Sequence, residues 1–178
     1  MKKISIIVPF FNEEEGVQQF FAELNTELLR LREYSFELVL IDDGSDDQTL
    51  IFLKDLKVPD EINAKIIELS RNFGKEAALT AGIKNSSADA FIFMDSDLEH
   101  PPKVIQLMLE KWEEGYDVIL GKRMSRENET ILKRLGFKIF YWIYNTISQF
   151  KNYPGVGEFR LMNRVSVDAL KQLDENQR

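Results

Sequence analysis

The chain has 178 residues, 44% of them hydrophobic, with no cysteine, one histidine and a net charge of −7. That length and composition describe one globular domain with a real core. They exclude disulfides, zinc–thiolate sites, cysteine nucleophiles and histidine-cluster metal sites, and the acidic balance argues against a duplex nucleic-acid partner.

Residues 3–8 (KISIIV) predict a strand closed by Pro9. Residues 13–33 predict a helix, because Val17, Phe20, Phe21, Leu24, Leu28 and Leu31 form one stripe at helical spacing. FELVLI at 36–41 predicts a second strand, ending at Asp42-Asp43-Gly44-Ser45. Ser45 or Asp46 is placed to cap a helix over 46–56. AKIIEL at 64–69 predicts a third strand, 74–85 a helix, and Ala90–Met94 a fourth strand. Pro101 and Pro102 suit the first turn of a helix reaching Glu114, and DVIL at 117–120 predicts a fifth strand.

Beyond residue 121 the pattern changes. Residues 130–150 (TILKRLGFKIFYWIYNTISQF) are aromatic-rich and predict a helix, broken near Gly136. Its aromatic run either packs as core or lies on a membrane surface beside Lys133, Arg134 and Lys138. A loop at Pro154–Gly157 leads to EFRLMNR and a last helix from Ser166. The N-terminus shows no signal-peptide pattern, and no apolar run reaches the eighteen or so residues of a membrane span. A soluble chain is expected.

Short apolar strands alternating with helices predict a mostly parallel α/β sheet covered on both faces. Such sheets bind ligands beyond the carboxyl ends of their strands. The polar clusters Pro9–Glu14, Asp42–Asp46, Ser70–Lys75 and Asp95–His100 all fall there.

In FIFMDSDLEHPP, at 91–102, Asp95, Asp97 and Glu99 follow an apolar run at two-residue spacing. If the chain stays extended they share a face, and three converging carboxylates call for a cation. A hard divalent ion with oxygen ligands fits that need. No GxGxxG follows the first strand and no GxxxxGK[ST] occurs, so dinucleotide and P-loop readings lose their support. A metal can still bridge a diphosphate to the acids. Lys122, Arg123, Arg126, Lys133, Arg134 and Lys138 against Glu127 and Glu129 make a basic island suited to phosphate or a lipid headgroup.

SIIVPFFNEE, VLIDDGSDDQT, LSRNFGKEAALTAG, FMDSDLEHPP and GVGEFRLMNR, in this order, resemble the family 2 glycosyltransferases with the GT-A fold. Within them the match is to the polyprenyl-phosphate glycosyltransferases, the group of dolichyl-phosphate mannose synthases and bacterial undecaprenyl-phosphate glucosyltransferases. It covers nearly the whole chain. The resemblance implies a nucleotide-sugar-binding α/β core over 1–125. Residues 126–178 would be an acceptor-side, membrane-proximal part of the same single domain.

It also implies roles. Pro9, Asn12 and Glu14 match the loop that contacts the donor nucleoside, and Asp42 and Asp43 the pair that binds base and ribose. Asn72, Gly74 and Lys75 match the segment lining the donor pocket. Asp95, Ser96 and Asp97 match the D-x-D motif that holds metal, Mg²⁺ or Mn²⁺, and diphosphate. Glu99 stands where Gln is usual and becomes a candidate third ligand. Glu158 stands where Asp is usual; we read it as an orienting or metal-proximal group rather than a general base. Asp97, Glu158 and Arg160 are the candidate catalytic residues. Arg123, Arg126 and Lys133 are candidates for acceptor phosphate, with Arg160 near the same phosphates.

The implied reaction is metal-dependent, inverting transfer of a hexose, UDP-glucose being favoured as donor, to a polyprenyl phosphate such as undecaprenyl phosphate. The implied setting is the cytoplasmic face of a membrane, as the soluble catalytic part of a membrane protein, with self-association left open. The alternatives are a GDP-mannose donor with dolichyl phosphate, a glycan or protein hydroxyl as acceptor, and a non-catalytic nucleotide-sugar-binding module. A receiver-type module would carry its acidic pair after the first strand, whereas here the pair follows the second.

Overall fold

A computed structural model describes residues 1–122 and 156–172, the side chains of Lys122 and 156–158 excepted. The strands are β1 (Lys2–Phe10), β2 (Tyr34–Asp42), β3 (Asn63–Glu68), β4 (Ala90–Phe93), β5 (Val118–Lys122) and β6 (Val156–Asn163). They form one six-stranded sheet in the order β3-β2-β1-β4-β6-β5. β3, β2, β1 and β4 run parallel, while β6 is antiparallel to both β4 and β5. The helices are α1 (Val17–Leu28), α2 (Thr49–Lys54), α3 (Lys75–Lys84), α4 (Val104–Glu113) and α5 (Arg164–Lys171). The expected helix at 130–150 lies outside the described residues. No described helix is long and apolar enough to cross a membrane.

The strands read as continuous apolar runs because both faces are covered. Side chains alternate across the sheet. Ile4, Ile6, Val8 and Phe10 of β1 enter a core with Val17, Phe20 and Leu24 of α1, Leu53 of α2 and Ile105 of α4. Ile7, Val39 and Ile41 enter a second core on the other face, with Ala78, Leu79 and Ile83 of α3 and Val167 of α5. Gly82 lets α3 lie close on the sheet, since a Cβ there would stand 2.5 Å from Ile7 Cγ2.

The sheet differs from expectation in its sixth strand. EFRLMNR extends β6, which inserts between β4 and β5 and pairs Phe93 with Arg160. Asn163 then caps α5, its Oδ1 accepting from the Ser166 N–H at 2.8 Å, so that helix starts two residues early. α1 begins at Val17 rather than residue 13; residues 14–16 form a turn, Gly16 N–H donating to Glu13 O, and the N–H groups of Glu13 and Glu14 donate to Thr49 Oγ1 and Asp47 Oδ2.

Inside the sheet, buried Glu37 on β2 takes ion pairs from Lys3 at 3.3 Å and Lys65 at 2.8 Å. Burial pushes its carboxyl up, but hydrogen bonds and charge from Lys65 and Lys3 outweigh that and hold it below the usual value. Such a group stabilises above its unfolded pKa, about 4.3, and that contribution is lost as pH falls through the lower folded value. Glu37→Gln is therefore expected to cost about 1–2 kcal/mol at pH 7 and markedly less near pH 3. Urea unfolding at both pH values checks this; an equal loss at both would exclude the ionic origin.

Candidate functional site

The carboxyl ends of β1, β2 and β4 sit side by side, with Phe10 opposite Asp42 and Ile7 opposite Phe93. After Phe10 the chain turns at Asn12, whose φ of 54° is one that asparagine tolerates better than most residues. That turn is stitched to the loop before α2. Asn12 N–H donates to Ser45 Oγ at 3.0 Å, and Asn12 Oδ1 accepts from Asp46 N–H at 2.9 Å. Glu14 Oε2 accepts from Gln48 N–H at 2.9 Å. Asn12 and Glu14 thus join two loops, and it is their neighbour Glu13 that lines the cavity between the strand ends.

The β2 turn does similar work. Asp42 is 1% exposed, with one carboxylate oxygen accepting from Ser45 N–H at 3.1 Å. Its other oxygen is buried and has no hydrogen-bond partner among the described residues. Asp43 takes Phe73 N–H on one oxygen and Gly74 N–H on the other, each at 2.9 Å. This clamp fixes the 72–74 segment, and Asn72 Oδ1 also accepts from Gly74 N–H. The clamp needs Gly44, at φ +68°, because a Cβ there would lie 2.3 Å from the Arg71 carbonyl carbon.

The resulting cavity holds about 320 Å³. One wall is Pro9, Phe11 and Glu13; a second is Asn72, Gly74 and Lys75; a third is Asp95, Ser96 and Asp97, with Asp43 at the base. Eight residues singled out in the sequence therefore meet at one cavity: Pro9, Asp43, Asn72, Gly74, Lys75, Asp95, Ser96 and Asp97. Asn12, Glu14, Asp42 and Glu99 do not line it. Phe10, Phe11 and Glu13 also line it, unanticipated; their place in the Pro9–Glu14 cluster was the available signal.

The extended chain that would set Asp95, Asp97 and Glu99 on one face does not continue past β4. β4 ends at Phe93, and the chain then turns: Glu99 N–H donates to Asp97 Oδ1 at 2.9 Å and Leu98 has φ 57°. Residues two apart share a face only while the chain is extended. Among the described residues no group of three or more histidines and carboxylates is arranged to hold a metal. Instead Asp95 Oδ1 lies 2.5 Å from Lys75 Nζ. Glu13 is pushed above its usual value by burial, then by the charges of Asp97, Asp47 and Asp95. An acidic cavity already drawing in an ammonium suits a hard cation such as Mg²⁺ or Mn²⁺, with Asp95 and Asp97 as the oxygen donors.

The family model described as glycosyl transferase family 2 matches residues 5–170. The chain belongs to glycosyl transferase family 2.

Among its relatives, a bactoprenol glucosyl transferase of Shigella phage SfV is 43% identical over 173 residues, which are 97% of this chain and 56% of the phage protein. The chain spans about half the length of the curated relatives it matches. Of solved structures, S. aureus TarS in complex with UDP is 25% identical, with a TM-score of 0.59 over 72% of this chain and 38% of that one. The mannosyltransferase PcManGT of Pyrobaculum calidifontis, in complex with GDP-Man and Mn²⁺, is 16% identical with a TM-score of 0.67, covering 95% and 46%. The fold is that of the GT-A glycosyltransferases.

Arg160 on β6 stands beside Phe93, its guanidinium 5.3 Å from the ring centroid, and its Nε is buried with no hydrogen-bond partner among the described residues. His100 stacks on Phe159, ring centroids 5.2 Å apart, as a packed residue. The backbone of Glu158 lies in β6. Arg123, Arg126 and Lys133 lie outside the described residues.

Proposed function

We propose that this chain is the catalytic part of a glycosyltransferase that moves a hexose, glucose from UDP-glucose, to a polyprenyl phosphate at the cytoplasmic face of a membrane. The observation that carries this reading is the cavity itself. It places Asp95 and Asp97 across from Lys75, with an exposed aromatic ring, Phe11, on the adjoining wall. That pattern suits a nucleoside diphosphate, whose base stacks on an aromatic face and whose charge needs cations. The name of the phage relative supports glucose and a polyprenyl acceptor, and the UDP complex of TarS supports uracil.

Asp95 and Asp97 would hold a Mg²⁺ or Mn²⁺ that neutralises charge building on the departing diphosphate. Glu99, whose backbone N–H is donated to Asp97 Oδ1, takes no ligand role in this reading. Asp43 keeps the Asn72–Lys75 wall in place, and Lys75 faces the phosphates. Phe11 flanks the base and the segment Arg71–Phe73 the outer rim. The acceptor phosphate oxygen attacks the anomeric carbon as the bond to the diphosphate oxygen breaks, with inversion. A phosphate monoester has a second pKa of about 6, so at neutral pH it needs orientation rather than a base. Arg160, with Glu158 two residues earlier on β6, supplies that orientation and balances the acceptor charge.

The test is a donor panel with Mn²⁺ and undecaprenyl phosphate in detergent, followed by extraction of lipid-linked sugar. UDP-glucose is expected to give glucosylated lipid, and UDP rather than GDP to raise the melting temperature. Transfer from GDP-mannose alone would overturn the donor. Transfer only to a soluble glycan hydroxyl would overturn the acceptor.

A further inference from the structure

We propose that Lys75 is a built-in competitor of the divalent cation: its ammonium occupies Asp95 until a nucleotide diphosphate draws it away. This rests on the metal and donor reading above. The geometry is specific. Lys75 Nζ lies 2.5 Å from Asp95 Oδ1, in the first half of the D-x-D. Divalent ions sit at about 2.0–2.6 Å from carboxylate oxygens. An ion on that oxygen and an ammonium at the same oxygen repel each other at short range, so each weakens the other.

Lys75 is built to move without disturbing its wall. Its backbone follows Gly74, which is pinned by Asp43 and Asn72 at 2.9 Å each. Its side chain is a four-carbon stem, 39% exposed, opening into the cavity that also holds Asp97. A diphosphate in that cavity offers the ammonium a second anionic partner. Transfer of Lys75 from Asp95 to the phosphates then frees a carboxylate oxygen for the ion and adds a cation for the diphosphate. The ion and the nucleotide therefore bind with positive coupling, and linkage makes that coupling reciprocal. Bare ions are held weakly, and the metal site completes itself when donor arrives.

The proposal makes predictions of opposite sign, which simple loss of a structural contact does not. Mn²⁺ binding is read from the free-ion electron paramagnetic resonance signal, with and without UDP. Lys75→Met is expected to bind Mn²⁺ alone about three- to tenfold more tightly than wild type. It is expected to bind UDP with Mn²⁺ more weakly, and to lose most of the mutual enhancement between them. Lys75→Arg, which keeps the charge, should restore weak bare-ion binding. Unchanged or weaker bare-ion affinity in a folded Lys75→Met protein, beside normal Mn²⁺–UDP binding in wild type, overturns the competition alone. Wild-type protein that takes up no Mn²⁺ even with UDP overturns the metal reading and this inference with it.

Discussion

Asp97→Asn is expected to lower glucosyl transfer by about a hundred- to a thousandfold while changing the melting temperature by no more than about 2 °C. The two halves have separate causes. Asp97 is exposed, and its one described hydrogen bond is to the Glu99 N–H in its own turn. An asparagine carbonyl oxygen can accept that bond unchanged. Asn also removes one of the charges that push Glu13 upward, which slightly favours the fold. What Asn cannot supply is the negative charge that would hold a divalent ion against the diphosphate. That stabilisation is largest in the transition state, where charge builds on the leaving group, so the loss falls on turnover. Initial rates at saturating UDP-glucose and Mn²⁺, with a thermal melt of the same preparation, check both halves. Transfer above a tenth of wild type would remove Asp97 from the mechanism. A rate loss with a collapsed melt would make its role structural.

The sheet was readable because its strands are short, apolar and separated by amphipathic helices. β1, β2 and β4 are buried on both faces, so burial wrote them into the sequence without alternation. β6 was not readable in the same way. It pairs with β4 and β5 through contacts distant in the chain, and EFRLMNR mixes charge with core residues. The site was readable at the level of clusters and not of atoms. Which of Glu13 and Glu14 faces the cavity depends on the turn at Asn12 and on Gln48 taking Glu14, both of them tertiary facts. The two-residue spacing after β4 was likewise readable only as composition. Met94 looks like a strand residue and is buried, yet β4 stops at Phe93. The chain beyond it is no longer extended, and the Lys75 ammonium beside Asp95 is a contact that spacing alone does not reveal.

Gly44→Ala is expected to cost about 3 kcal/mol or more and to lower the melting temperature by roughly 6–12 °C. Two penalties add. Gly44 has φ +68°, a region that costs an ordinary L-residue about 1–2 kcal/mol. The new methyl would also meet Arg71 C at 2.3 Å, Arg71 Cα at 2.5 Å and Asn72 N at 2.6 Å. These are backbone atoms, so no rotamer change relieves the contact. The strand-end segment must retreat, and its tether is Asp43, the residue immediately before Gly44, through Phe73 and Gly74 N–H. A shift there opens the wall carrying Asn72 and Lys75, so UDP should stabilise the variant far less than wild type. Gly74→Ala separates the two penalties. Gly74 has φ +92° but no described residue within 4 Å of its added Cβ, so it bears strain without collision there. It should lose about 1–3 kcal/mol, as should Gly115→Ala, at φ +99° with no described residue within 4 Å of its added Cβ. Denaturant unfolding of the three variants, each with and without UDP, ranks them. If Gly44→Ala melts no lower than Gly74→Ala, the packing of the two turns is not what holds the donor wall.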